Sequence, residues 1–514
     1  MASFTFDPLT PAAFLCRAVA VFPDRVAIVD GDRRWTYREF ADRCDRLRGA
    51  LARLAVGPLD RVAALCANSH VMLEMHHAVP AHGAVLVPMN TRLAPDEMAY
   101  IVKHSGARVL VTTPELLDTA RTVAARAGVP LVEPDEYESL LASASTVDPA
   151  VLDERQLLAI NYTSGTTGRP KGVMYHHRGA FLQAVAMCYH AGLGPDARYL
   201  WTLPMFHCDG WCFTWAVTAA GGTHVCLRAI DVDEIWRRLG ADRITHLSAA
   251  PTVLTMIAEA SAAAPLPDGR TVHVDTGGAP PSPTLLSRLD KLGLRVTHLY
   301  GLTETFGPIA INEWQGHWDV LPTDEQARLR ARQGIGNIVA TPLRVVDPSG
   351  KDVPADGVTI GELAVRGNDV MLGYYGDEEA TAAVTIDGGW LLTGDLAVEH
   401  PDGYVEIRDR RKDIIISGGE NIASVEVEQA LDSHPDVVES AVVGVSDPKW
   451  GEVPIAYVHL RTGATEDPAA LAAHVRTGLA GFKVPRRFVF TDLPKTSTGK
   501  IQKNVLRERA AEGS

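Results

Sequence analysis

Short apolar runs rich in β-branched residues alternate with Ala-, Leu- and Arg-rich stretches of helical period over most of this chain, and that alternation limits its fold more than any other feature. Residues 61–66, 84–88 and 108–112 read as buried strands, and residues 37–54 and 95–105 as the helices between them. Strands buried on both faces are near-continuously apolar and are joined by helical crossovers. The pattern therefore predicts an α/β protein with parallel sheets covered by helices. No internal repeat, heptad array or low-complexity tract interrupts it. With 514 residues the chain is long for one domain and suggests two or more. At 46% hydrophobic and 22% charged residues, a large core is available without help from a disulfide or structural metal.

Beyond about residue 390 the texture changes. Asp402-Gly403 is a hairpin-turn dipeptide, expected to join strands at 396–399 and 404–407. The run Arg408-Asp409-Arg410-Arg411-Lys412-Asp413 reads as a solvated turn and marks a boundary between residues 1–409 and 410–514. The second part has room for one small α+β domain.

The formal charge of −14 argues against nucleic acid, whose phosphates need a basic face. It leaves room for small anions held by local nests of backbone N–H groups. Cys16, Cys44, Cys66, Cys188, Cys208, Cys212 and Cys226 are odd in number and irregularly spaced, as expected of reduced thiols in a cytoplasmic protein. Residues 1–10 have neither the basic nor the apolar region of a signal peptide. No apolar run approaches the roughly 20 residues that span a bilayer, and residues 511–514 form no lipidation box.

Two turn-rich segments, at 163–172 and 300–305, come directly after apolar runs and so are expected at the carboxyl ends of strands, where α/β proteins place ligands. The first reads Tyr162-Thr163-Ser164-Gly165-Thr166-Thr167-Gly168-Arg169-Pro170-Lys171-Gly172. Its glycines let the backbone approach a ligand, while its hydroxyls and Lys171 supply donors for phosphate oxygens. By composition alone a mobile Ser/Thr/Gly surface loop is the favoured reading. It is not a Walker A loop, because Gly172 stands after the lysine where Ser or Thr would be needed.

This segment resembles the signature of the adenylate-forming superfamily, which includes acyl-CoA synthetases, peptide-synthetase adenylation domains and luciferases. Further elements of that superfamily recur in its order. Gly277-Gly278-Ala279-Pro280 is similar to the adenine-site strand end, and Tyr300-Gly301-Leu302-Thr303-Glu304 to the Tyr-Gly-x-Thr-Glu element. Trp390-Leu391-Leu392-Thr393-Gly394-Asp395 resembles the ribose motif. Arg410 to Asp413, with Ser417-Gly418-Gly419-Glu420-Asn421, resembles the hinge and the segment after it. Pro494-Lys495-Thr496-Ser497-Thr498-Gly499-Lys500 resembles the terminal lysine motif. The resemblance covers nearly the whole chain. It implies a large N-terminal adenylation domain of stacked α/β subdomains with a distorted β-barrel, and then a small mobile C-terminal domain.

The resemblance also implies roles. A carboxylate resists nucleophiles because oxide would have to leave, and transfer to AMP supplies a better leaving group. Carboxylate and α-phosphate are both anions, so cations are needed where they meet. Lys500 is expected to bridge them, Glu304 to hold Mg²⁺ on the phosphates, and Thr303 to contact the α-phosphate. Residues Thr163 to Lys171 would embrace the departing pyrophosphate, and Asp395 would accept from the ribose hydroxyls with Arg410 nearby. Lys412 is the expected hinge, about which the small domain rotates to bring Gly418 and Gly419 into place for the CoA thiol. Standing alone, Lys500 would read as a solvated lysine near a tail and Glu304 as a helix-start glutamate.

Leu203-Pro204-Met205-Phe206-His207-Cys208-Asp209-Gly210-Trp211-Cys212 resembles the aromatic and histidine motif on the acyl side. His207 and Trp211 are expected in the substrate pocket, although His207 could equally be a core histidine. Cys208, Cys212 and His207 lack a second ligand pair at zinc spacing, which favours core thiols over a metal site. Asp209 stands where this branch usually carries asparagine. It reads as an ion-pair partner beside His207, or as a residue that recognises a polar or amine-bearing substrate. The leading expectation is an acid:CoA ligase that uses ATP, Mg²⁺ and coenzyme A on a fatty or aryl acid, with a homodimer possible by resemblance. Luciferase-like oxidation, acyl loading onto a carrier protein, an ATP-dependent diazotase using nitrite and an arylamine, and a non-catalytic binding protein are the alternatives.

Overall fold

In the computed structural model, residues 6–150, 153–163, 169–278, 281, 283–418, 420–496 and 501–512 are described. The expected alternation is present. Strands Arg61–Leu65, Val85–Pro88 and Ala107–Thr112 run parallel; helix Tyr37–Arg53 precedes all three rather than lying between them, and helix Pro95–Ser105 connects the last two. Local chemistry sets the helix ends. Thr36 and Glu39 close a capping box at the start of the first of these helices. Pro95 opens the other, and Gly106 stops it at φ 64°.

Two largely parallel sheets carry the N-terminal part. One has six strands in the order Leu131–Val132, Ala107–Thr112, Arg61–Leu65, Val85–Pro88, Leu157–Thr163 and Lys171–His176, and only the last is antiparallel. The other has nine strands. Its parallel centre is Leu294–Leu302, Val272–Thr276, His246–Ala249, Arg198–Leu200, Thr223–Cys226 and Val26–Asp30, with antiparallel strands at both edges.

Side-chain alternation along the strands explains the layering. Val62 and Ala64 join the same core as Ile28 and Tyr199 of the other sheet, a core filled by helices Tyr37–Arg53, His70–Ala81 and Phe213–Ala220. Ala63 and Leu65 face outward to helices Pro95–Ser105 and Leu117–Ala127. Val29 and Leu200 face outward to a third core with Ile235 and Leu239. A helix layer thus lies between two sheets, each with its own outer helices. Trp201 and Trp215 are fully buried in the shared layer, and each large side chain so buried stabilises the fold by roughly 1.5–3 kcal/mol.

An antiparallel five-stranded sheet comes next (Arg344–Val346, Gly361–Val365, Thr385–Ile386, Trp390–Glu399 and Val405–Arg410), in the part expected as a distorted barrel. Its final hairpin turns at Gly403, φ 81°, as Asp402-Gly403 predicts. The small C-terminal domain has five strands of its own, from Ile415–Ser417 to Arg487–Phe490. Helices Ser424–Asp432, Pro468–Gly478 and Lys503–Glu512 accompany them.

The charged run at 408–413 corrects an expectation. Arg408, Asp409 and Arg410 lie in strand Val405–Arg410, and Asp409 and Asp413 are buried rather than solvated. Ser424 donates from its backbone N–H and its hydroxyl to Asp409 Oδ2, the latter at 2.7 Å. Lys503 Nζ reaches Ser424 Oγ at 2.6 Å and Glu428 at 2.7 Å, and Arg507 pairs with Asp413 at 2.5 Å. Opposite charges and hydroxyls from the small domain replace the water that such a run would otherwise need.

A second buried carboxylate is less well served. Asp369 has no exposed surface. Asn337 Nδ2 donates to its Oδ2 at 2.8 Å, while its Oδ1 has no hydrogen-bond partner among the described residues. Burial pushes its carboxyl up from 3.8 to about 6. Because the folded value is raised, the stability it contributes is fully present below pH 3.8 and is lost as pH rises through about 6. Two units correspond to about 3 kcal/mol as an upper bound. Asp369→Asn is therefore expected to raise the thermal midpoint at pH 8 by a few degrees and to make no difference near pH 4, checked by calorimetry at both values.

Candidate active site

The phosphate-loop segment joins a hairpin. Thr163 ends strand Leu157–Thr163, Lys171 begins strand Lys171–His176, and the two residues face each other across the antiparallel pair. Strands Val272–Thr276 and Leu294–Leu302 lie side by side and parallel, so Gly277 and the turn Thr303–Thr305 leave the same end of one sheet. The Tyr175 hydroxyl ties the two regions together by donating to the Thr303 carbonyl at 2.5 Å.

Glycine is required where backbone meets backbone. A Cβ on Gly301 would fall 1.8 Å from the Gly307 carbonyl oxygen. A Cβ on Gly277 would meet the Leu299 carbonyl at 2.9 Å and the Trp211 ring at 3.2 Å. These two positions hold the Tyr300–Glu304 segment flat against its antiparallel neighbour, Gly307–Ile311, and let Trp211 close on the strand ends.

Two further residues meet around one buried carboxylate. Tyr300 donates its hydroxyl to Asp395 Oδ2 at 2.6 Å, and Arg410 Nε pairs with Asp395 Oδ1 at 3.0 Å. Burial and the facing carboxylate hold the Tyr300 phenol well above its ordinary value. Each carboxylate oxygen keeps a further lone pair for a ligand hydroxyl. Glu304 lies half-buried, and its Oε1 accepts from the Tyr374 hydroxyl at 2.7 Å. Lys171 Nζ sits 4.8 Å from the centre of that same tyrosine ring. Neither Tyr374 nor Tyr175 is marked by any local signal in the sequence.

Gly278 lies just past its strand at φ 87°, while Gly418 lies against Trp450 of the small domain and donates its N–H to that residue's carbonyl at 2.7 Å. Lys412 is exposed in the turn after Arg410. Ser164, Gly165, Thr166, Thr167, Gly168, Ala279, Pro280, Gly419 and Lys500 lie outside the described residues.

On the acyl side the backbone takes an unexpected form. Cys208, Asp209, Gly210, Trp211 and Cys212 all have positive φ, between 50° and 63°, forming a left-handed turn directly after His207. Each non-glycine residue there costs roughly 1–2 kcal/mol. The turn is held by the Thr214 hydroxyl donating to the Asp209 carbonyl at 3.0 Å and by Gly210 N–H donating to the His207 carbonyl at 2.9 Å. Gly210 packs so tightly that a Cβ would come 2.6 Å from the Trp201 ring. Cys208 and Cys212 are buried free thiols, and burial pushes Cys208 up to about 12.

Asp209 faces a histidine of helix His70–Ala81. Its side chain is fully buried, and its ion-pair partner is His76, with Nε2 to Oδ1 at 3.3 Å. Asn161 Nδ2 donates to its Oδ2 at 3.0 Å. The left-handed turn leaves the carboxylate in the interior, with no exposed surface. His76 Nδ1 is engaged with the Met72 carbonyl at 2.7 Å, which leaves Nε2 to face the carboxylate. Removing one partner of such a pair costs about 3–5 kcal/mol. Asp209→Ala is expected to lose that much stability. Asp209→Asn can still accept from Asn161 and should retain both the fold and the ranking of acid substrates. A changed ranking in kcat/KM would show that the carboxylate does read the substrate.

The model of the AMP-binding enzyme family matches residues 15–375, and that of the AMP-binding enzyme C-terminal domain matches residues 426–500. A peroxisomal acetate/butyrate–CoA ligase of Arabidopsis thaliana is 43% identical, over 99% of this chain and 95% of its own length. A peroxisomal trans-cinnamate:CoA ligase of Petunia hybrida is 40% identical, over 98% and 94%. Among solved structures, ATP-bound MatB from Rhodopseudomonas palustris matches with a TM-score of 0.87 at 30% identity, over 97% of this chain and 98% of that one. With its motifs in order and its fold shared over nearly its full length, this chain belongs to the AMP-binding enzyme family, in the acyl-CoA ligase branch of the adenylate-forming superfamily.

Proposed function

We propose that this protein is an ATP-dependent acid:CoA ligase acting on a fatty or aryl acid. The observation that carries the reading is the convergence of Lys171, the Thr303–Glu304 turn and Asp395 with Arg410, joined through Tyr175, Tyr300 and Tyr374. The relatives' names, acetate/butyrate and trans-cinnamate, support short aliphatic and aryl acids as the first to try. They do not favour carrier loading or nitrite chemistry, and the buried Asp209 offers an arylamine no carboxylate.

In the first half-reaction the acid's carboxylate oxygen attacks the α-phosphorus of ATP, and the bond to pyrophosphate breaks. Lys500 bridges the two anions, Thr303 contacts the α-phosphate, and Thr163 to Lys171 hold the leaving pyrophosphate. In the second, the CoA thiolate attacks the acyl carbon and AMP departs. Asp395 accepts from the ribose hydroxyls, Gly278 to Pro280 border the adenine, and His207 with Trp211 wall the acyl side.

Glu304 fits Mg²⁺. It is a hard oxygen donor with Oε2 and further lone pairs beyond its bond from Tyr374. Among the described residues no group of three His, Cys, Asp or Glu could hold a metal alone. That suits an ion that arrives on nucleotide phosphates and takes one protein carboxylate. When bound, the ion neutralises charge on the phosphates.

The two domains divide at 409/410, with Lys412 as the pivot. Arg410 anchored to Asp395 on one side and Asp413 anchored to Arg507 on the other support a hinge between them. No helix among the described residues is long and apolar enough to cross a membrane. Seven free cysteines support a reducing compartment, the cytoplasm in this proposal. A homodimer is part of the same proposal.

With ATP and Mg²⁺ supplied, pyrophosphate release is expected to depend on the acid across a panel of short, long-chain and aryl acids, and mass spectrometry is expected to find the CoA thioester. Release that needs nitrite and an arylamine, without thioester, would overturn the reading. Lys500→Ala should abolish pyrophosphate release yet still convert supplied acyl-adenylate to thioester. Equal loss of both steps would contradict its assigned role.

A further inference from the structure

Lys171 and Glu304 carry opposite charges and approach the same tyrosine, yet among the described residues they form no ion pair with each other. A direct pair would cancel both charges before nucleotide arrived. Tyr374 stands between them. Its hydroxyl donates to Glu304 Oε1 at 2.7 Å, while its ring lies 4.8 Å from Lys171 Nζ, a cation–π distance. The ring contact uses none of the ammonium's three N–H donors, and the hydroxyl bond uses one of several carboxylate lone pairs. Both groups are therefore oriented while keeping capacity for a ligand.

The backbone around Tyr374 is held by both elements it joins. Leu372 N–H donates to the Met174 carbonyl at 3.0 Å, and Tyr375 N–H to the Gly172 carbonyl at 2.7 Å, stitching the segment to the lysine strand. Met371 N–H donates to the Glu304 carbonyl at 2.9 Å. Tyr374 N–H donates to Thr381 Oγ1 at 2.9 Å. Gly373 has φ 140°, and a Cβ there would come 2.9 Å from the Thr381 side chain, so the chain can pass only as glycine. Tyr374 is itself 8% exposed. A spacer this fixed sets the separation of its two partners.

We propose that Tyr374 is a positioning residue of the nucleotide site. Its hydroxyl presents the Glu304 carboxylate to the divalent cation on the phosphates, and its ring presents Lys171 to the phosphates themselves. This rests on the reading of Glu304 as the magnesium carboxylate, and the test separates the two ideas.

The test is calorimetric binding of the non-hydrolysable nucleotide α,β-methylene-ATP, with and without Mg²⁺, to the full-length enzyme. Tyr374→Phe keeps the ring and removes only the hydroxyl. It is expected to weaken binding in Mg²⁺ by about tenfold, the loss of one hydrogen bond to a charged group, and to leave metal-free binding unchanged. Tyr374→Leu, which removes the ring as well, is expected to weaken both. In turnover, Tyr374→Phe should raise the KM for Mg·ATP and leave the KM values for acid and CoA in place, a split that a merely structural loss would not give. If Glu304→Gln loses the magnesium dependence and Tyr374→Phe keeps it in full, the Tyr374 proposal is overturned while the role of Glu304 stands. If Glu304→Gln also binds as the wild type does, the reading of Glu304 falls, and the Tyr374 proposal with it.

Discussion

The arrangement of the active site depends on the buried carboxylate of Asp395. A carboxylate taken out of water costs several kcal/mol unless opposite charge and hydrogen bonds replace the solvent. Here the replacements come from two directions: the hydroxyl of Tyr300 from the nine-stranded sheet, and the guanidinium of Arg410 from the strand that leads to the small domain. Satisfying one charge therefore fixes three elements against one another. The Thr303–Thr305 turn starts three residues after Tyr300, and the Lys412 turn starts directly after Arg410. Both turns are thus referenced to one point.

The same logic ties the small domain to the strand Val405–Arg410 that leads into it. Asp409 accepts two hydrogen bonds from Ser424, whose hydroxyl is also reached by Lys503. Lys503 is paired with Glu428, and the facing carboxylates hold its ammonium above the ordinary value against the opposing effect of partial burial. Arg507 then reaches back to Asp413. Lys503 and Arg507 both belong to the terminal helix Lys503–Glu512, which begins just beyond residues 497–500. Charge pairing so fixes helix Lys503–Glu512 to the turn at 411–413.

The acyl side is built on strain. Four non-glycine residues with positive φ cost several kcal/mol together, and strain of this kind persists only where the surroundings over-determine it. Trp211 closes on Gly277 and Gly307, Gly210 on Trp201, and the Asp209 carboxylate on Asn161 and His76. Asn161 lies two residues before Thr163 on strand Leu157–Thr163, so that strand supports the left-handed turn.

The sequence by itself determined the strands near 61–66, 84–88 and 108–112, the helices near 37–54 and 95–105, the Asp402-Gly403 hairpin and the order of the motifs. Each rests on local patterning, since period, propensity and turn chemistry act over a few residues. Only the tertiary structure decided that Asp409 and Asp413 would be buried in a run that looks solvated, that Asp209 would turn inward to His76, and that Tyr374 would stand between Lys171 and Glu304. These partners lie far apart along the chain, and no local window contains both members of a pair. Whether a charge faces water or a partner is settled by which elements pack together. That packing is a property of the whole core, so the chemistry of these residues could be assigned only once it had formed.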